Sequence, residues 1–383
     1  MKKLMVKLLG NEKRQAVTIP IFAIVVSLIA GAIVLLALGK NPLYAYMNLL
    51  QGSGILPKAT YAGGRSMLTD FMSFMNAWTP MLFAALSFTV AARAGLFNIG
   101  IAGQMLSGGF VATILIGYTD LPAVAAKPLV IVVGMITGAL LGALIGWLKY
   151  RFNINEVVST IMVNYIAQYI ISFFINTVYV DPVSRQSRNI SAASRLTLMD
   201  TRIGDLKMDI PLGIILAIIA AFAVRFFLNR TKTGFEIKMV GSSNTAAKYA
   251  GVNVGKNIVL AMVISGSLAG LAGVTYYLGY FGSIQPKVLP STGYDCIAVA
   301  LLGGSNPIGI IFSSFLITVI SKGSTYMTSA SGVDSEIASV ITGLILLFSA
   351  CSAFIAYKVN QSKRALEEEK KAEEKAGKEA DHE

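Results

Sequence analysis

The polar side chains of Asn98, Gln104 and Ser107 lie in "GLFNIGIAGQMLSGG" (Gly95–Gly109), a glycine-rich stretch within a strongly apolar part of the chain. Amides and hydroxyls supply hydrogen-bond donors and acceptors without a strong acid, base or nucleophile, so they fit the recognition of a polar solute. Irregular backbone at membrane depth survives only where protein or a water-filled cavity surrounds it. A second interruption, "LGGSNPIG" (Leu302–Gly309), carries Asn306. Broken apolar segments in both halves of a chain are the sequence sign of a transporter whose path runs between them. Asn98, Gln104 and Ser107 are therefore expected to face a translocation path or its gate. The other reading has these amides cap neighbouring helix ends inside a packed bundle.

Ionisable residues within spans are functional candidates by default. Here Arg93 lies at a turn, Glu156 at a helix start and Asp295 at the opening of a span. They form no buried carboxylate–histidine relay of the kind a proton-driven pump needs, and no ring of charges for an ion filter. The only histidine, His382, lies in the charged tail, which excludes histidine-based metal binding or general-base chemistry in the membrane. Cys296 and Cys351 lack CxxC or metal-ligand spacing and read as small apolar core residues. "GVNVGKN" (Gly251–Asn257) has one residue too few between its glycines for a phosphate-binding loop, and Asn257 where Ser or Thr should follow Lys256. No cofactor or metal is expected.

These groups must be positioned by helices. With 383 residues, 55% hydrophobic and 14% charged, and a mean hydropathy of +0.66, the chain is expected to be an all-α integral membrane protein. Long apolar stretches run over Ile21–Gly39, Leu129–Leu148, Val157–Val180, Ile210–Leu228, Ile258–Gly279 and Ile337–Tyr357. Shorter ones lie at Trp78–Ala92, Ile99–Gly117, Tyr294–Leu302 and Ile308–Ser321. Together they give about ten crossings, with Lys40–Ala77 and Asp181–Asp209 as outer loops.

The formal charge of +12 gathers at the ends of these stretches, as the positive-inside rule expects, and this argues against a nucleic-acid partner. Both termini are then cytoplasmic: residues 1–20 form the N-terminus, 21–357 the transmembrane domain and 358–383 a mixed-charge tail. The Asp181–Asp209 loop is the weak point of this orientation, because it places Arg185, Arg188, Arg195, Arg202 and Lys207 outside against four aspartates. Trp78 and Trp147 fall near expected helix ends, where interfacial anchors belong.

Gly134, Gly138, Gly142 and Gly146 recur at four-residue spacing, and Gly266 and Gly270 repeat the device. Such faces allow close helix approach in lipid. The cytoplasmic loop 229–257 is equally distinctive. Ser242 or Ser243 can cap a short helix at Asn244–Ala250, and Gly251 supplies a left-handed stop. A capped two-turn helix among lysines suits docking to a partner.

"RAGLFNIGIAGQMLSGG", "NINEVVSTIMVNYIA" (Asn153–Ala167), "TGFEIKMVGSSNTAAKYAGVNVGK" and "GYDCIAVALLGGSNPIG" (Gly293–Gly309) resemble, in order, signature stretches of ABC importer permeases. The resemblance is to the branched-chain amino acid and simple-sugar type, and within it to the nucleoside-transport subgroup. It covers residues 15 to 357. It implies ABC ATPase subunits, a second permease subunit in a homo- or heterodimer, and an extracytoplasmic substrate-binding lipoprotein. The Thr233–Gly255 loop becomes the segment that receives the ATPase stroke, through Thr233, Gly234, Gly241, Asn244, Ala246, Ala247 and Gly251. Asn98, Gln104, Ser107, Glu156, Asn164, Asp295 and Asn306 are placed around the central path. Ala102 stands where many members of the family carry an acid, which puts the details of solute recognition in question. The resulting expectation is a permease of the cell membrane, not itself an enzyme, translocating nucleosides by alternating access. The alternatives are a simple sugar such as ribose or galactose in the same machine, or a secondary transporter.

Overall fold

The computed structural model describes residues 15–61, 63–203, 206–350, 357–363 and 365. The expected cytoplasmic N-terminus up to Arg14, Cys351 and nearly all of the charged tail lie outside the described residues.

In chain order the elements are α1 (Gln15–Ala37), α2 (Pro42–Gly52), α3 (Met67–Arg93), α4 (Ile101–Ala112), α5 (Ala123–Phe152) and α6 (Glu156–Phe174). Strands β1 (Thr197–Ile203) and β2 (Leu206–Pro211) follow, then α7 (Gly213–Arg230), α8 (Lys232–Ser242) and α9 (Asn244–Tyr249). The last four are α10 (Val254–Val274), α11 (Thr292–Leu302), α12 (Pro307–Ser331) and α13 (Ser335–Ala350). Helices α4, α6 and α10 run on into wider π turns at Thr113–Gly117, Ile175–Tyr179 and Thr275–Phe281.

Two compact units emerge, one of the described residues up to Pro42 and from Glu336 onward, the other Leu43–Ser335. In the first, Ser27 Oγ of α1 donates to the Leu344 carbonyl of α13 at 3.4 Å. The second contains every candidate site residue.

Among the described residues six helices are long and apolar enough to cross a membrane, or seven if Ile24–Ala37 and Pro42–Gly52 count as one span. The expected crossings at Ile99–Gly117 and Tyr294–Leu302 are shorter apolar helices. An eleven-residue helix such as α11 covers roughly 17 Å at 1.5 Å per residue, about half a hydrocarbon core.

Centrally placed α3 has every residue from Trp78 to Ala91 buried, as a helix apolar on all sides must be. It starts earlier than the expected loop Lys40–Ala77 allowed. Ser66 caps it by accepting from Leu68 N–H, and the Thr69 hydroxyl accepts from Ser66 N–H. This places Trp78 in mid-helix, 6% exposed, with Nε1 donating to Ser314 Oγ of α12 at 2.8 Å. Trp78 is thus a core residue rather than the expected interfacial anchor. Trp147, near the end of α5, is exposed.

The all-α expectation also needs correction in the Asp181–Asp209 loop, where β1 and β2 pair antiparallel with a register break between Leu198 and Thr201. The glycine faces fit their reading. A Cβ on Gly138 would lie 2.0 Å from the Gly266 carbonyl oxygen, and one on Gly270 would lie 2.0 Å from that of Gly134. The two devices found separately in sequence are one interface, α5 on α10, with backbone against backbone.

Candidate functional site

Gly95, at φ +73°, turns the chain sharply after α3, and the next polar side chain, Asn98, enters the core. Asn98 is fully buried. Its Nδ2 donates to Gln104 Oε1 at 3.2 Å and to Ser265 Oγ of α10 at 2.9 Å. Its Oδ1 accepts from Gly100 N–H at 3.0 Å, which ties off the turn into α4. Ser265 continues the chain of polar contacts to Ser87 of α3, whose hydroxyl donates to the Ser265 carbonyl at 2.7 Å.

Asn164 of α6 grips the start of α4. Its Oδ1 accepts from Gly103 N–H at 2.8 Å and its Nδ2 donates to the Ile99 carbonyl at 3.0 Å. The approach is close: a Cβ on Gly103 would lie 2.7 Å from Asn164 Cα. These amides satisfy the orphan backbone groups of a helix start buried away from water. One donor of the group, Gln104 Nε2, is buried without a hydrogen-bond partner. Ser107, one turn further along α4, is also buried.

The remaining path candidates do not join this cluster. Glu156 opens α6 after Asn155, which caps the helix by accepting from Val157 N–H at 2.8 Å, and its Oε2 pairs with Lys149 Nζ at 2.8 Å. Both line a cavity of about 210 Å³ with Gly95, Gly241, Ser243 and Asn244, so Glu156 sits beside the α8–α9 segment. Asp295 lies half-buried in the first turn of α11. Asn306 is exposed and caps α12 by accepting from Ile308 N–H at 3.1 Å. Ala102 packs against α11 so closely that a Cβ on Gly293 would lie 2.5 Å from its Cα. A longer acidic side chain at 102 would have to displace α11.

The α8–α9 segment is built by its caps. Thr231 accepts from Gly234 N–H at 3.0 Å to start α8. Ser243, one of the two expected caps, accepts from Ala246 N–H at 3.2 Å to start α9. Gly251 ends the turn at φ +77°. Gly234 lets α8 fold back on α7, since a Cβ there would lie 2.1 Å from the Phe227 carbonyl oxygen. Thr233 follows in the first turn of α8. In α9 Ala247 is buried while Asn244, Ala246 and Lys248 face outward. Tyr249, 90% exposed, went unnoticed in sequence because an aromatic ring in a helix usually signals core.

Gly241 of α8 is packed against the end of α3, where a Cβ would lie 2.2 Å from the Arg93 carbonyl oxygen. Arg93 itself donates from Nε and Nη2 to the Ser305 carbonyl, at 3.0 and 2.7 Å. Ser305 belongs to the "GGSNP" interruption and holds φ +50°. One helix end therefore touches the α8–α9 segment through its backbone and the second broken segment through its guanidinium.

Lys322 was also missed. The apolar run reads as ending at Ser321, but α12 continues to Ser331, which leaves the lysine inside a span. Its Nζ donates to Tyr280 Oη at 2.8 Å.

A family model described as "Branched-chain amino acid transport system / permease component" matches residues 71–350. The chain is 35% identical over 376 residues to the nucleoside ABC transporter permease protein NupB of Lactococcus lactis subsp. cremoris, with 96% of this chain and 100% of that one covered. It is 35% identical over 348 residues to the guanosine ABC transporter permease protein NupP of Bacillus subtilis, covering 90% and 96%. The glucose ABC transporter permease protein TsgB13 of Haloferax volcanii is 27% identical over 342 residues, covering 88% and 87%.

Proposed function

Because the chain belongs to the branched-chain amino acid transport system permease family, we propose that it is the membrane subunit of an ABC importer that carries nucleosides by alternating access. It is a multi-pass protein of the plasma membrane and a transport component rather than an enzyme. The energy comes from ABC ATPase subunits, while a second permease subunit and an extracytoplasmic binding lipoprotein complete the machine.

The observation that carries the mechanism is the α8–α9 segment. Its outward residues, with Ala246 and Tyr249 among them, offer a surface to the ATPases on the cytoplasmic side. Its inward residue Gly241 bears on the end of α3. ATP-driven movement of α9 then displaces Arg93, and through it the Ser305 turn. The broken segments on either side of the path shift, and Asn98, Gln104 and Asn164 exchange some of their internal hydrogen bonds for bonds to the solute, which the Ser107 hydroxyl joins. Buried amides suit this exchange, because the cost of leaving them unpaired is met only when a polar ligand replaces the lost partner. Glu156 and Asn306 lie where the moving elements meet.

The nucleoside cargo rests on the 35% identity to two permeases with nucleoside and guanosine in their names, each across nine-tenths or more of this chain. A simple-sugar cargo is the second reading, favoured by the likeness to a glucose permease. Cross-linking tests the coupling role. A cysteine at Ala246 should form an adduct with the ATPase subunit in membranes, and its yield should change when nucleotide is added. A cysteine at Ala246 that reacts only with water-soluble reagent, with and without nucleotide, would remove α9 from the ATPase interface.

A further inference from the structure

Lys322 is the charged residue of α12, which is one of the helices long and apolar enough to cross a membrane. It lies nine positions before the helix end at Ser331, roughly 13.5 Å at 1.5 Å per residue. An ammonium at that depth must reach protein partners or water rather than lipid. Its partner is a neutral one, the hydroxyl of Tyr280, and no carboxylate among the described residues lies within ion-pairing distance. The ammonium has three donors, so the tyrosine leaves it with hydrogen-bonding capacity for something else.

Tyr280 sits in the π turn Thr275–Phe281 at the end of α10, a deviation often found at functional sites. Three aromatic rings cluster there. Phe281 lies 4.7 Å from both Tyr276 and Tyr280, centroid to centroid. Phe281 is exposed, and Tyr276, Tyr280 and Lys322 are partly so. The turn is fixed from behind, with Leu196 N–H donating to the Leu278 carbonyl at 3.0 Å and Arg195 Nη2 to that of Gly279 at 3.0 Å. Accessible rings on a braced turn, next to an underused ammonium, match a flat heteroaromatic ring with acceptors on its edge. The rings offer stacking faces and edges, and the ammonium and hydroxyl offer donors.

We propose that Lys322 and Tyr280, with Tyr276 and Phe281, form a recognition site for the base of the nucleoside, separate from the Asn98–Asn164 amide cluster. This rests on the nucleoside reading given above. Lys322 donates to the oxygen at position 6 of the base, and it therefore favours guanosine over adenosine, whose amino group at that position cannot accept.

The test is competitive uptake of radiolabelled guanosine and adenosine by cells carrying the complete transporter, with this chain as wild type, Lys322→Met, Lys322→Arg or Tyr280→Phe. Lys322→Met should lower the guanosine-to-adenosine ratio about tenfold, the scale of one hydrogen bond to a charged group, and Lys322→Arg should restore most of it. Membrane abundance is followed by immunoblot. If Lys322→Met fails to accumulate, Tyr280→Phe, which removes a single oxygen, carries the test with a smaller fall in the ratio. A ratio unchanged in the variants, whether total uptake falls or not, overturns the site while leaving the nucleoside importer intact. A wild-type transporter that takes up neither nucleoside overturns both.

Discussion

Gly241 and Arg93 meet backbone to backbone, so closely that a Cβ on the glycine would lie 2.2 Å from the arginine's carbonyl oxygen. The contact is reinforced from the other side, where a Cβ on Gly95 would lie 3.1 Å from Gly241 Cα. The guanidinium of the same arginine holds the Ser305 carbonyl at 2.7 Å. The end of α3 is thus a shared joint between the α8–α9 segment, proposed to meet the ATPases, and the interruption ahead of α12.

If that joint transmits the stroke, Gly241→Val should break transport more than assembly. The added carbons cannot be accommodated without moving α8 away from α3, at a cost of about 1–3 kcal/mol. The expected result is ATP hydrolysis that continues in membranes while uptake falls. Normal uptake at normal abundance would show that the contact is not part of the coupling.

The α5–α10 interface should be the least forgiving part of the bundle. Gly138→Leu drives a branched side chain into the Gly266 carbonyl, where even a Cβ would be at 2.0 Å, and overpacking of this kind costs about 1–3 kcal/mol or more. The melting temperature in detergent should fall. Gly343→Ala has nothing within 4 Å of its added Cβ and should leave it unchanged. Equal melting temperatures for both variants would count against the tight interface.

Asn164→Ala should separate two roles of the amide. It removes the acceptor of Gly103 N–H and the donor to the Ile99 carbonyl, leaving two buried backbone groups unpaired at about 1–3 kcal/mol each. Loss of thermal stability is expected whatever the cargo. Asn164→Asp keeps the acceptor for Gly103 N–H but loses the donor to the Ile99 carbonyl and buries a carboxylate, so it should recover little of that stability. A variant Asn164→Ala with wild-type stability would contradict the capping geometry.

How far these features were legible in sequence depended on the range of the interaction. The α9 cap and its stop were readable, because Ser243, Asn244 and Gly251 act within one turn of chain. The glycine spacing announced a close helix contact, though not that the two glycine faces are partners across more than a hundred residues. The broken segment before α4 was legible as irregular backbone and helix capping as one use of its amides, but not that Asn98 bonds to Ser265 of α10 while Asn164 of α6 grips the start of α4, partners that local pattern does not encode. Lys322 was lost because a charge normally ends an apolar run, whereas here Gly332 at φ +58° ends the helix. Trp78 was misplaced for the converse reason. The apolar stretch begins there, while the helix begins eleven residues earlier at Met67 under the control of Ser66.

The two neighbouring alanines of α9 should behave differently. Ala247 is buried, so Ala247→Glu should destabilise the segment and reduce the amount of chain in the membrane. Ala246 is exposed, so Ala246→Glu should leave abundance intact and lower only uptake and ATPase association. Abundance and uptake falling together in both variants would argue that α9 serves folding rather than docking.

The most direct measurement is uptake of radiolabelled guanosine, uridine and ribose in cells with and without this chain, under ATP depletion and, separately, with an ionophore. The account predicts that nucleoside uptake depends on the chain, follows ATP and survives collapse of the ion gradient. Nucleoside uptake that disappears with the gradient at normal ATP, or that is the same without the chain, would contradict it.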